Sequence, residues 1–283
     1  MLSYRLTFPV DPTIKERALG ICYSSGMEGC QEEGRGDDVI LTCWFNDFLS
    51  CTAAKSYISR ILNPEWIKEI PVEDQDWNAR WRESIQPVKV TDSIWVSPSW
   101  KPPQLQAGEK WIKLEPKMTF GTGHHETTRL VASVIEAERG RIPNTTFLDI
   151  GSGTGILCFI ADCLGAQKCL GIEIDRNAWE NIAENRNANP SRGTVDFVVG
   201  TLDSVGKKAA FDWIVMNMLR VHSGPLVQKV NNLLKPSGTF VWSGLLLVEK
   251  KAVIQDAGNA GFRLCAEKQL DEWWCGVFVH SGR

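Results

Sequence analysis

The stretch Thr146-Phe147-Leu148-Asp149-Ile150-Gly151-Ser152-Gly153-Thr154-Gly155-Ile156-Leu157 decides the fold. A short apolar strand runs into three glycines and then into an apolar helix over residues 156–164. Glycine lets such a turn form and lets a ligand approach the backbone closely, and the following helix N-terminus favours a negative group. A dinucleotide fingerprint needs G-x-G-x-x-G after the strand. Here the pattern is G-x-G-x-G with Ile156 in the third glycine's place, which disfavours a nicotinamide cofactor. The next strand, 169–174, carries Glu173 near its carboxyl end, where an acid can accept the ribose hydroxyls of an adenosine.

Downstream, the spacing predicts a helix over 178–187, strands over 195–199 and 211–216, a helix over 225–234 and a strand over 239–243 after the turn Lys235-Pro236-Ser237-Gly238. Two more strands, 262–267 and 274–280, read as an antiparallel hairpin closing the sheet edge. This alternation is that of an α/β doubly wound parallel sheet. Asn217 closes the strand over 211–216. Gly151, Glu173 and Asn217 therefore all fall at strand carboxyl ends, where open α/β sheets bind ligands, and one crevice would hold them.

Upstream of the sheet lies the loop Phe120-Gly121-Thr122-Gly123-His124-His125-Glu126-Thr127-Thr128. A zinc helix of H-E-x-x-H type is excluded, because position 129 is arginine. The threonine hydroxyls could bond a ligand carboxylate or cap the helix that begins there. Four histidines in the whole chain make a metal site improbable, and none is assigned. Residues 1–70 read β-α-β-β-α-β with the last strand at 66–72, the order of a small ferredoxin-like α+β domain, and that domain is placed at residues 1–65. In it the strand at 27–31 is the weakest, and Asp11 or Thr13 is the expected cap of the first helix. Residues 66–118 read as a partly structured connector rich in proline and tryptophan, with a helix through Trp77, Trp81 and Ile85 and a strand at 94–96. Residues 119–283 form the larger domain.

The chain of 283 residues is 43% hydrophobic and 23% charged, which argues against disorder. No apolar run spans a bilayer, so a cytosolic protein without a membrane partner is expected. Nine cysteines without a C-x-x-C pair read as reduced, mostly buried thiols. A net charge of -3 without a basic stripe excludes direct nucleic-acid binding as the expected role and suits a basic partner. The acids of a loop at 28–38 (Glu28, Glu32, Glu33, Asp37 and Asp38, against Arg35) would attract such a partner.

Three sets of motifs carry a family resemblance. They are Glu115-Pro116-x-Met118-x-Phe120-Gly121-Thr122-Gly123-x-His125-x-Thr127-Thr128, the connector pieces Asp76-Trp77-x-x-x-Trp81 and Trp95-Val96-Ser97-Pro98-Ser99-Trp100, and residues 148–157 with Gly171-Ile172-Glu173-Ile174-Asp175. With these the chain resembles the methyltransferases of ribosomal protein L11 over roughly residues 66–283. The resemblance implies a Rossmann-like class I methyltransferase sheet, S-adenosyl-L-methionine as cofactor, and a substrate-recognising role for residues 1–65. It implies cofactor contacts at Thr128, Gly151, Glu173 and Asn217. Phe120, Gly121, Thr122, Ser152, Gly153 and Gly155 join them as further candidates. The expected reaction is methylation of amino groups, lysine side chains and the N-terminal amine, of ribosomal protein L11 by a monomer. Asn217 would orient the amine. Alternatives on the same fold are methylation of another protein lysine, of RNA or of a small molecule. The acidic pI and the lack of an N-P-P-Y motif after residue 216 weigh against base methylation, and a module that only senses the cofactor is a further alternative.

Overall fold

A computed structural model of the chain describes residues 3–35, 38–72, 85–117, 121–191, 193–206 and 210–282. The expected helix through Trp77 and Trp81 lies outside the described residues. By contacts the chain divides into two compact units, 1–85 and 86–283.

The first unit is one four-stranded sheet: β1 (Ser3–Val10), β2 (Met27–Arg35), β3 (Asp38–Phe45) and β4 (Lys68–Val72), in the order β2-β3-β1-β4. All pairings are antiparallel. Helices Lys15–Ser24 and Phe48–Ile61 cover one face. The period of two places Leu6, Phe8 and Val10 of β1 and Leu41, Cys43 and Phe45 of β3 in the core. There they meet Ala18 and Cys22 of the first helix and Cys51, Ala54 and Ile58 of the second. This is the ferredoxin-like arrangement. Two local expectations change. Asp11 accepts the Thr13 amide at 2.7 Å, but it heads a short 3-10 turn before the first helix rather than the helix itself. The acids Glu28, Glu32 and Glu33, expected in a loop, stand on strand β2, and Asp37 lies outside the described residues.

The second unit holds a seven-stranded sheet ordered β10-β9-β8-β11-β12-β14-β13. Its strands are β8 (Thr146–Ile150), β9 (Lys168–Glu173), β10 (Thr194–Val199), β11 (Phe211–Asn217), β12 (Leu234–Leu246), β13 (Phe262–Leu270) and β14 (Trp273–His280). The first five in spatial order are parallel. β14 enters antiparallel between β12 and β13, so the closing hairpin takes the sheet edge as read from sequence. Helices Glu126–Ala137, Ile156–Cys163 and Ala178–Ala188 bury Leu130, Val131, Ile160 and Ile182 on one face. Helices Val227–Leu233 and Lys250–Asn259 bury Val230, Val253 and Ala257 on the other. Apolar cores on both faces are what a parallel sheet requires. The predicted turn 235–238 becomes an irregularity within β12: Phe211 pairs with Leu234 and Trp213 already with Thr239, so the residues between bulge out of register. A three-stranded sheet of β5 (Val88–Lys89), β6 (Ile94–Ser97) and β7 (Lys110–Lys113) belongs to this unit too. Among the described residues, no helix is long and apolar enough to cross a membrane.

Candidate active site

The chain steps from β8 through β9 to β10 on one side and resumes at β11 and β12 on the other, so the strand order reverses between β8 and β11. A crevice opens outside the carboxyl ends at such a reversal. Gly151 follows β8, and Glu173 and Asn217 end β9 and β11. Ile150 pairs with both Ile172 and Met216, which places the three positions side by side.

The glycine turn is built by conformations that other residues rarely adopt. Gly151, Gly153 and Gly155 have φ of 73°, 51° and 84°. A Cβ at Gly151 would lie 2.7 Å from Met218 Sδ, and one at Gly155 would lie 2.6 Å from Phe197 Cζ. The amides of Gly151 and Ser152 both donate to Ile172 O, at 2.9 and 3.0 Å, folding the turn back over β9. The Gly153 amide donates to Glu173 Oε2 at 2.9 Å. Glu173 Oε1 accepts the amides of Ile174 (2.8 Å) and Asp175 (3.0 Å). Glu173 thus organises the turn as well as ending the strand.

Several buried polar atoms here have no hydrogen-bond partner: Thr128 Oγ1, both carboxylate oxygens of Asp149, Ser152 Oγ and Asn217 Oδ1. Burying such groups unpaired costs free energy, so a cluster of them marks a place built to receive polar ligand atoms. Thr128 sits in the first turn of helix Glu126–Ala137. Ser243, opposite Asn217 in register, donates from Oγ to Thr127 O at 3.5 Å, bringing that helix start to the carboxyl edge of the sheet. Burial, and behind it the charge of Glu173, pushes the Asp149 carboxyl up to about 8.

The loop before the helix is anchored to the glycine turn. Thr154 Oγ1 donates to Gly121 O at 2.7 Å, and Thr122 beside it is half-buried. The helix cap is His125, whose Nδ1 accepts the Thr127 amide at 3.2 Å; the threonines are not the cap. Its ring also meets Trp273 edge-on at 5.0 Å. Phe120 lies outside the described residues. Apolar side chains complete the site. A cleft of about 530 Å³ is lined by Ile150, Gly151, Ile172, Leu202, Met218 and Leu226 among others, a fit for a flat heterocycle. A larger groove of about 750 Å³, at Lys89, Arg129, Arg139 and Lys268, shares none of these residues.

The structure therefore brings together Thr128, Gly151, Ser152, Gly153, Gly155, Glu173 and Asn217. In the sequence Asp149 stands only as part of the motif, and a carboxylate inside an otherwise apolar strand is the signal that marks it. Met218 and Leu202 carried no signal, since apolar residues after strands read equally well as core.

Comparison with known proteins gives a consistent result. The family model described as ribosomal protein L11 methyltransferase (PrmA) matches residues 30–281. A ribosomal protein L11 methyltransferase of Alkaliphilus oremlandii (strain OhILAs) is 31% identical over 208 residues, 73% of this chain and 65% of that one. One from Sorangium cellulosum (strain So ce56) is 30% identical over 238 residues, 82% of this chain and 74% of its own length. The match thus spans a little under two thirds of the Alkaliphilus protein. A crystal structure of a ribosomal protein L11 methylase from Lactobacillus delbrueckii subsp. bulgaricus shares the fold. It is 23% identical with a TM-score of 0.63, over 69% of this chain and 99% of that chain.

Proposed function

The chain belongs to the ribosomal protein L11 methyltransferase family, and from that premise we propose that it transfers methyl groups from S-adenosyl-L-methionine to amino groups of ribosomal protein L11. The observation that carries this reading is the set of unpartnered buried atoms, Thr128 Oγ1, Asp149 Oδ1 and Oδ2 and Asn217 Oδ1, at the switch-point crevice. They fit the cofactor. Gly151 lines the cleft with Ile172, Leu202 and Met218, which suits an adenine. Glu173 suits ribose hydroxyls. Asp149 offers a buried counter-charge to a cation, and the Thr128 hydroxyl a donor to a carboxylate. When bound, the cofactor supplies an electrophilic methyl group on a sulfonium.

The protein's task is then alignment and deprotonation of an amine. A lysine amine with pKa near 10.4 costs about 4.6 kcal/mol to neutralise at pH 7. Burial beside a cation lowers that pKa, so a dedicated base is not required. Asn217 Oδ1, at the end of β11, accepts an N–H of the amine and aims its lone pair. The first unit, and chiefly residues 1–65, selects the substrate, a basic ribosomal protein, while the chemistry stays in the second. The protein acts as a cytosolic monomer. The test is incubation of the full chain with labelled methyl donor and total ribosomal protein. Label on L11 amines is expected, and label only on RNA or on other proteins overturns the assignment.

A further inference from the structure

Helix Ala178–Ala188 and its C-cap carry asparagines at 181, 185 and 189, one per turn on one face. Asparagine is a poor helix former, so helix preference does not explain the row. Its hydrogen bonds do. Asn189 Oδ1 accepts the Lys113 amide at 2.9 Å and its Nδ2 donates to Lys113 O at 2.6 Å. Asn185 Oδ1 accepts the Glu115 amide at 2.8 Å. Asn181 Nδ2 donates to Glu115 O at 2.7 Å. Three side chains thus take the place of a partner strand for the segment that leaves β7.

Asn185 also reaches the other way. Its Nδ2 donates to Thr154 O, inside the glycine turn, at 3.1 Å. Thr154 Oγ1 in turn holds Gly121 O at 2.7 Å. Glu115, through Asn185, and Gly121, through Thr154, are therefore both tied to the glycine turn. Asn181 and Asn185 are 1% and 0% exposed, so these amide bonds are costly to leave unmade. Lys117 adds an ion pair to Glu184 of the same helix at 2.8 Å. Asn181 Oδ1 is buried without a hydrogen-bond partner.

We propose that Asn181, Asn185 and Asn189 form a latch that sets cofactor affinity: positioning residues that tie the segment at 113–115 to the glycine turn. This rests on the cofactor reading above. The ladder touches neither Asn217 nor the end of β11, so its loss acts on cofactor binding and not on the transfer step.

Full-length Asn185→Ala is compared with the unaltered chain by calorimetry with S-adenosylmethionine, by turnover at saturating cofactor and by thermal melting. The expected result is a Kd and a cofactor KM raised at least about tenfold, with kcat at saturation within about threefold. Asn185→Asp has the same size, keeps the acceptor for Glu115 and loses the donor to Thr154. It is expected to raise Kd in the same direction, and it serves should the alanine variant fold poorly. A lower melting temperature with unchanged Kd in either variant overturns the latch and leaves a merely structural ladder. A loss confined to kcat overturns it equally. Failure of the unaltered chain to bind S-adenosylmethionine overturns the cofactor reading, and the latch with it.

Discussion

Replacing Asp149 by asparagine tests the electrostatics of the crevice most directly. The Asp149 carboxyl is 1% exposed, has no hydrogen-bond partner on either oxygen and is pushed up to about 8 by burial and then by Glu173. The free protein thus holds it mostly protonated at neutral pH. The proposed ligand is cationic, and a cation in the crevice favours the ionised form. Binding must then release a proton. With a free-state value of about 8, about 0.9 proton leaves per ligand at pH 7, and the Asp149 contribution strengthens affinity about 50-fold from pH 6 to pH 8. Asparagine has the same shape and cannot titrate. The assay is calorimetry in buffers of differing ionisation enthalpy, on the natural chain and on Asp149→Asn. Protons from the ligand's own amine appear equally in both, so the difference isolates Asp149. The stability of the free protein carries the same signature with a definite sign. A carboxyl raised in the folded state costs nothing below its unfolded value near 3.9, costs more as pH rises and costs fully above about 8. The melting temperature of the natural chain should fall across that window relative to the variant. Equal proton release and parallel melting curves would refute the reasoning.

Glu173→Ala removes the acceptor for three backbone amides as well as the proposed ribose contact, and affinity for S-adenosylmethionine should fall at least about tenfold, measured by calorimetry. Asn217→Ala should lower the single-turnover rate at saturating cofactor more than it lowers binding; equal losses would make Asn217 a cofactor contact alone. Gly155→Ala forces a side chain onto a φ of 84° and into Phe197, and should lower stability by about 1–3 kcal/mol in denaturant titration. A fragment of residues 86–283 retains both of the larger apolar cores and all the cofactor candidates, and should bind S-adenosylmethionine while losing methylation of isolated L11. Full methylation by the fragment would show that the first unit does not select the substrate.

What could be read in advance follows from where each residue spends its side chain. The run from Thr146 to Glu173 was legible because strand, turn and helix each leave a local mark: a short apolar run, glycine, and a mostly apolar helix. The hairpin of β13 and β14 was legible for the same reason. β2 was faint because none of its described side chains is buried. An edge strand rich in glutamate has no hydrophobic period to show, and only its pairing with β3 reveals it. β7, Lys110–Lys113, was lost in the connector, since four residues with lysine at both ends and Ile112 alone buried give no pattern.

The asparagine row at 181, 185 and 189 was hidden for a different reason: polar residues at helical spacing read as a solvated face. Polarity on a helix says only that hydrogen bonds are wanted, not whether water or backbone supplies them. Here the partner is the segment at 113–115, about 70 residues earlier in the chain. The same logic covers Asp149. Within its strand it is one acid among apolar neighbours, and only the folded sheet, by burying it and setting Glu173 beside it, pushes its carboxyl up to about 8. The residues proposed to bind a ligand through local geometry are thus visible in sequence. Those that tune the site act through contacts that exist only after the chain has folded.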